Sequence, residues 1–190
     1  MIRLATAADA PGISRLLNQL EYPGTEAFLA ARLQSMLTDP AEMLLVWAEP
    51  PAGVAATPRA ADPAMAAPTT EPPTADPAMA ATPRAAGSSS PAIPPAAGAP
   101  TGSILALLSL HFIPQIALKG DFARISYFAV DEQARSRGIG RELEAEATRL
   151  ARERGCVLLE VHCHTRRTRA HEFYYRQGYE ESPKYLIKRL

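Results

Sequence analysis

The chain has 190 residues and carries 20 basic and 20 acidic side chains, so its formal net charge is zero. That length suits one domain and leaves little for a second. The balance argues against a basic nucleic-acid binder and against an acidic tail protein. Hydrophobic residues make up 47%, a globular value, but the 18 prolines are roughly twice average usage.

No apolar run approaches the roughly 18–20 residues of a membrane helix. Met1 to Thr6 show no basic patch followed by an apolar run, so no signal peptide is expected. The two cysteines, Cys156 and Cys163, fall in one predicted strand and its exit. An extended chain holds them too far apart to bridge. Free thiols point to a reducing, cytoplasmic compartment.

In chain order, Ile2 to Ala5 read as a short strand. Thr6 with Asp9 suits a helix start, and Ile13, Leu16, Leu17 and Leu20 recur at helical spacing over Ala8 to Leu20. Tyr22-Pro23-Gly24 breaks that helix. A second begins at Thr25, with Phe28, Leu29, Leu33, Met36 and Leu37 on one side, and stops at Asp39-Pro40. Met43 to Ala48 form an apolar strand.

Thirteen of the 18 prolines then lie between Pro50 and Pro100. The stretch is alanine-rich, lacks aromatics, and repeats itself. Ala61-Asp62-Pro63-Ala64-Met65-Ala66-Ala67 recurs at 75–81 and Ala56-Thr57-Pro58-Arg59-Ala60-Ala61 at 81–86. These units are too short for a solenoid. Such proline density blocks helix and ladder, and alanine buries too little to offset ordering entropy. Residues 51–101 therefore read as a disordered insertion in a single domain spanning 1–190. Its flanks, Met43 to Ala48 and Ser103 to Leu110, form the arms of a hairpin whose turn has been stretched.

Arg124 to Val130 are a further strand. Gly138 to Arg154 form a helix with Ile139, Leu143, Ala147, Leu150 and Ala151 inward. Cys156 to His162 look like a buried strand. Ala170 to Gln177 are a last helix, and Tyr179 to Leu190 contain a final strand. The order β-α-α-β-β-β-α-β-α-β describes an α/β (α+β) layered domain.

The chemistry concentrates at Arg135-Ser136-Arg137-Gly138-Ile139-Gly140-Arg141, between a strand and a helix start. Glycines let the backbone approach a ligand, and the free N–H groups of a new helix favour an anion. Three arginines add charge. No Gly-Lys-Ser/Thr closes a Walker A loop, and Leu143 stands where a dinucleotide fingerprint needs its third glycine. The segment reads as a phosphate or pyrophosphate cradle.

Arg135-x-x-Gly138-x-Gly140 resembles the acetyl-CoA pyrophosphate loop of the Gcn5-related N-acetyltransferases (GNAT). Ala170-His171-Glu172-Phe173-Tyr174-Tyr175-Arg176-Gln177-Gly178-Tyr179 is similar to that family's Ala-x-x-Phe-Tyr-x-x-x-Gly-Phe/Tyr signature. The resemblance covers residues 1–50 and 101–190. It implies a GNAT-like acyl-CoA N-acyltransferase domain, with a mixed, mostly antiparallel sheet and helices on both faces.

It also implies acetyl-CoA as acyl donor and an amine, small or on a peptide, as acceptor. Backbone groups of Phe128, Ala129 and Val130 would pair with the pantetheine arm. The amides from Arg135 through Ser136, Arg137, Gly138, Ile139 and Gly140 to Arg141 would hold the pyrophosphate. Arg167 would face the cofactor. Tyr174 would lie near the CoA sulfur and protonate the leaving thiolate, with Tyr175 as its neighbour. Relatives often dimerise, so a homodimer is a further expectation.

Where similar sequences carry a basic Glu, this chain has Ser126 and Tyr127, neither a good base near neutral pH. His162, Glu160, His111 and Glu21 are the candidate bases, and His162 has the most suitable intrinsic titration range. A water chain, or an amine arriving neutral, is the alternative. His162 and His164 share a strand face, but without a further clustered ligand no metal site is expected. Arg166, Arg167 and Arg169 sit beside the expected CoA site on a neutral chain, so neither nucleic acid nor membrane is expected as a partner. The competing readings are a CoA-binding sensor without a competent base, and a nucleotide-binding protein. If the insertion is dispensable, deleting residues 52–100 and joining the strands by a short turn leaves folding and CoA binding intact. Circular dichroism and calorimetry check this, and loss of either property contradicts it.

Overall fold

A computed structural model describes residues 1–49, 102–182 and 188. The predicted insertion at 51–101 lies outside the described residues, as do 183–187 and 189–190 of the predicted final strand. The elements are β1 (Ile2–Leu4), α1 (Ala10–Gln19), α2 (Leu29–Thr38), β2 (Glu42–Ala48), β3 (Ile104–Ile113), β4 (Phe122–Val130), α3 (Ile139–Glu153), β5 (Leu158–Val161) and α4 (Thr168–Arg176). The five strands form one sheet in the order β1-β2-β3-β4-β5. The first four are mutually antiparallel, and β5 lies parallel to β4. A parallel neighbour needs a long crossover, which α3 provides.

Alternation along the strands sends side chains to two separate cores. Leu44, Val46, Leu107 and Ala129 meet Ile13, Leu16 and Leu33 of α1 and α2. Leu45, Ala106, Leu108, Leu110, Ala123 and Ile125 meet Ile139, Leu143 and Ala147 of α3. The sheet therefore has helices on both faces, the α+β arrangement expected from the sequence.

α1 is fixed at both ends. Buried Asp9 accepts from both Arg3 guanidinium nitrogens at 2.7 Å and from Thr6 N at 2.8 Å, so its charge is paired as burial requires. At the other end, the Glu21 and Tyr22 amides donate to the Asn18 and Leu17 carbonyls, each at 3.1 Å. These are the bonds of a Schellman cap. Its left-handed position, usually glycine, is Glu21 at φ 69°, a strain of about 1 kcal/mol or more.

β2 and β3 are the two arms of the hairpin, as expected. Their ladder runs to Ala48 opposite Ile104, and Glu49 N donates to Ser103 O at 3.0 Å. A Cβ on Gly102 would stand 1.8 Å from the Glu49 carbonyl oxygen, so only glycine fits there.

Three local expectations change. The second helix does not begin at Thr25: Gly24 is left-handed, Thr25–Ala27 form a 3-10 turn, and α2 starts at Leu29. β3 extends past Leu110 to Ile113. The strand expected over Cys156 to His162 shrinks to Leu158–Val161, and it is not buried: Val157 and Leu158 are exposed. An apolar run alone does not say whether a neighbour covers it.

Leu16 is fully buried and seats α1 on the sheet. Leu16→Ala should lose about 3 kcal/mol through the cavity it leaves, read as a lower urea midpoint with native circular dichroism. A loss below about 1 kcal/mol would mean that α1 is not held by this contact.

Candidate active site

The site begins where two strands part. β4 and β5 are paired from Phe122–Leu158 to Ile125–Val161 and no further, although β4 continues to Val130. On the opposite edge, the β3 register jumps from Ser109–Tyr127 to Leu110–Ile125, leaving Ser126 as an extra residue. A bulge bends and twists its strand. Here it coincides with the point where β4 leaves β5. Among the described residues, the β4 edge at 126–130 therefore has no strand partner on the β5 side, and it contains Phe128, Ala129 and Val130. Unpaired backbone groups of this kind accept an extended ligand as an added strand.

At the end of β4 the chain enters the arginine and glycine loop. Ser136 (φ 65°) and Gly138 (φ 82°) are both left-handed and bracket Arg137. Successive amides in such a turn form an anion-binding concavity. α3 follows with Gly138 as its N-cap, and its first-turn amides at Ile139, Gly140 and Arg141 lack intrahelical acceptors. Nothing lies within 4 Å of a Cβ built on Gly138, so space is open above the loop. Arg135, Arg137 and Arg141 are exposed. Arg135 stands 3.7 Å from Glu132, and Arg137 3.6 Å from Glu49. The sequence-predicted cradle residues thus converge on one open, electropositive turn.

The loop is anchored by a residue the sequence reading did not single out. Asp131, only 4% exposed, precedes the turn. Its carboxylate accepts from the Arg15 guanidinium, from Gln19 Nε2 at 3.2 Å and from Gln133 N at 2.9 Å. Gln19 Oε1 accepts in return from Glu132 N at 3.2 Å, and Arg15 also donates to Ile104 O at 2.7 Å. Arg15 and Gln19 are one helical turn apart and share a face of α1. The Arg15 guanidinium holds the Asp131 carboxyl below the usual carboxylate range, against the opposing effect of burial. The signal available in the sequence was an (i, i+4) polar pair off the apolar stripe of α1, facing an Asp that ends a strand.

α4 delivers the aromatic side of the gap. Tyr174 is 9% exposed, whereas its neighbour Tyr175 is 53% exposed. The Tyr174 ring packs on Phe128 (6.5 Å), Phe173 (5.4 Å) and Tyr179 (5.3 Å). Burial pushes the Tyr174 phenol well above its ordinary value, with the Glu144 carboxylate adding to this and the Arg167 charge opposing it. Arg167, just before α4, thus acts electrostatically on Tyr174 and on Cys163, whose thiol burial also pushes up. Buried Glu144 accepts from Thr148 Oγ1 at 2.8 Å and Tyr179 OH at 3.2 Å. Phe173 leans over Gly140, where a Cβ would meet its ring at 3.5 Å, so α4 rests on the first turn of α3.

The other face of the gap belongs to α1. Tyr127 points there and meets Tyr22 edge-on at 5.4 Å. Glu21 pairs with Arg166 in the β5–α4 connection. The turn after α1 therefore touches both sides of the gap. His162 follows β5 immediately, half-exposed, with Nε2 3.6 Å from Glu160 Oε1. Glu160 is in turn bound by Arg124, its register partner on β4. His111 is farther down the sheet, 2.6 Å from Glu42. Of the candidate bases, Glu160 pairs with Arg124, His111 with Glu42, Glu21 with Arg166 and His162 with Glu160; His162 lies just past the point where the β4–β5 pairing ends. Among the described residues no three His, Cys, Asp or Glu side chains converge as a metal site requires, and no helix is long and apolar enough to cross a membrane.

Comparison with known proteins agrees with this geometry. Residues 68–179, more than half of the chain, match the model of the acetyltransferase (GNAT) family. The chain belongs to that family. No curated protein sequence matches it. Solved structures share the fold at low identity. A transcriptional regulator from Bacillus halodurans superimposes with TM-score 0.66 at 18% identity, over 100% of this chain and 99% of that one. An acetyltransferase from Trypanosoma brucei gives 0.65 at 16%, over 100% and 99%. Glucosamine-6-phosphate N-acetyltransferase from Arabidopsis thaliana gives 0.65 at 15%, over 100% and 97%.

Arg15→Met should weaken CoA binding about fivefold, roughly 1 kcal/mol, by loosening the loop that Asp131 anchors. Isothermal titration checks this, and an unchanged affinity would detach α1 from the loop. Because the folded-state pKa of Asp131 is depressed, its stabilisation is complete above the unfolded value of about 3.9 and disappears as pH falls through the folded value. The melting-temperature gap between wild type and Asp131→Asn should therefore be full at neutral pH and close in acid.

Proposed function

We propose that this protein is an N-acetyltransferase that moves the acetyl group of acetyl-CoA directly onto an amine, with Tyr174 as general acid and His162 as general base. The observation that carries the reading is the gap between β4 and β5, with the open anion turn at one end and Tyr174 buried beside it. The unpaired edge of Phe128, Ala129 and Val130 suits a pantetheine arm laid as an added strand, and the turn from Arg135 to Arg141 suits its pyrophosphate. Arg167 adds positive charge on the Tyr174 side.

In this reading the two proton-handling groups act from opposite faces. Cys163 lies on the Tyr174 side, and His162 with Glu160 on the other. The amine nitrogen attacks the thioester carbonyl carbon and a C–N bond forms. His162 takes the proton the nitrogen sheds. The C–S bond then breaks, and Tyr174 donates to the sulfur as negative charge builds there. Burial keeps the phenol protonated until that moment. Because a thiol of pKa about 8.5 is the stronger acid, the main contribution of Tyr174 is a hydrogen bond to the departing sulfur. Backbone N–H groups at the splayed edge polarise the carbonyl. No covalent enzyme intermediate forms, so neither cysteine acts as nucleophile.

A thiol-release assay with acetyl-CoA and a panel of amines tests this. Tyr174→Phe should lower kcat about 10²-fold with CoA affinity nearly unchanged. His162→Gln should lower kcat by a similar factor. Tight CoA binding without turnover on any amine would favour the sensor reading instead.

A further inference from the structure

We propose that Glu21 determines acceptor specificity, selecting amines that carry a second positive charge; this rests on the acetyl-transfer reading above. Glu21 occupies the left-handed position that ends α1, at φ 69°, where glycine is the ordinary occupant. Its side chain is 68% exposed and reaches Arg166 across the gap. Directly beside it stand the rings of Tyr22 and Tyr127, edge to face at 5.4 Å and both exposed. The same turn thus sets one carboxylate and two tyrosine rings at the mouth on the α1 side, the face on which His162 would receive the amine.

A carboxylate beside aromatic faces attracts an ammonium or guanidinium group. The existing partner is easily displaced, because an exposed ion pair such as Glu21–Arg166 contributes little. A distal ammonium can therefore replace Arg166 at Glu21 while the reacting nitrogen lies deeper, beside His162. An acceptor with a neutral tail gains nothing from the exchange. Arg15 and Gln19 of α1 are engaged with Asp131. The discriminating groups at this rim are then Glu21, Arg166 and the two tyrosines.

The test compares a diaminoalkane with a monoaminoalkane of equal length as acceptors for wild type, Glu21→Gly and Glu21→Gln. Wild type should favour the diamine about tenfold in kcat/KM. Both variants should lose that preference through KM of the diamine, with kcat and KM for acetyl-CoA nearly unchanged. Glu21→Gly should also melt at the same temperature or a few degrees higher, because glycine relieves the left-handed strain, whereas a purely structural residue would lower it. A preference that survives in both variants, an equal rise in KM for both amines, or a wild-type preference for the monoamine overturns the proposal. Wild type that binds acetyl-CoA yet acetylates no amine overturns the enzyme reading itself, and this proposal with it.

Discussion

The structure turns on one extra residue. Ser126 has no partner opposite it on β3, and the strand bends where it is inserted. β5 ends at Val161, level with Ile125, so among the described residues the backbone edge at 126–130 has no partner on the β5 side. Unpaired backbone groups are costly unless something satisfies them, and an extended segment laid along the edge would do so. The gap also has two unlike faces, because Tyr127 and Phe128 point to opposite sides.

α1 and α4 hold those faces in place. α1 grips the start of the anion loop through Arg15 and Gln19, then ends in a turn that meets Tyr127 and Arg166. One helix thus contacts both the start of the arginine and glycine loop and, through the turn that ends it, Tyr127 and Arg166. α4 is seated by Phe173 over Gly140 and by the Tyr179–Glu144 hydrogen bond. Gly140, read in the sequence as clearance for phosphate, also serves as the seat for Phe173.

The sequence made the chemistry legible where residue type and local backbone decide it. Arg135 to Arg141 need glycine and a helix start, and both can be seen without a structure. The Phe173-Tyr174 pair is likewise set by a short helical spacing. What depends on distant pairing was not legible. The bulge at Ser126 has no compositional signature, since it follows from the register of β3. The Asp131 anchor joins residues more than a hundred positions apart in sequence. The exposure of Leu158 depends on whether another strand covers β5, and an apolar run cannot say. The pairing of Glu160 with Arg124 and of His111 with Glu42 follows from strand register and was not legible either.

Amide hydrogen exchange with and without CoA tests the central claim, that the parted strands form the cofactor site. Saturating CoA should slow exchange in two separate peptides, one covering 126–130 and one covering 135–141, while the paired half of β4 at 122–125 stays as it was. Protection of the loop alone, or protection elsewhere with 126–130 unchanged, would mean that the gap beside Ser126 does not hold the pantetheine arm.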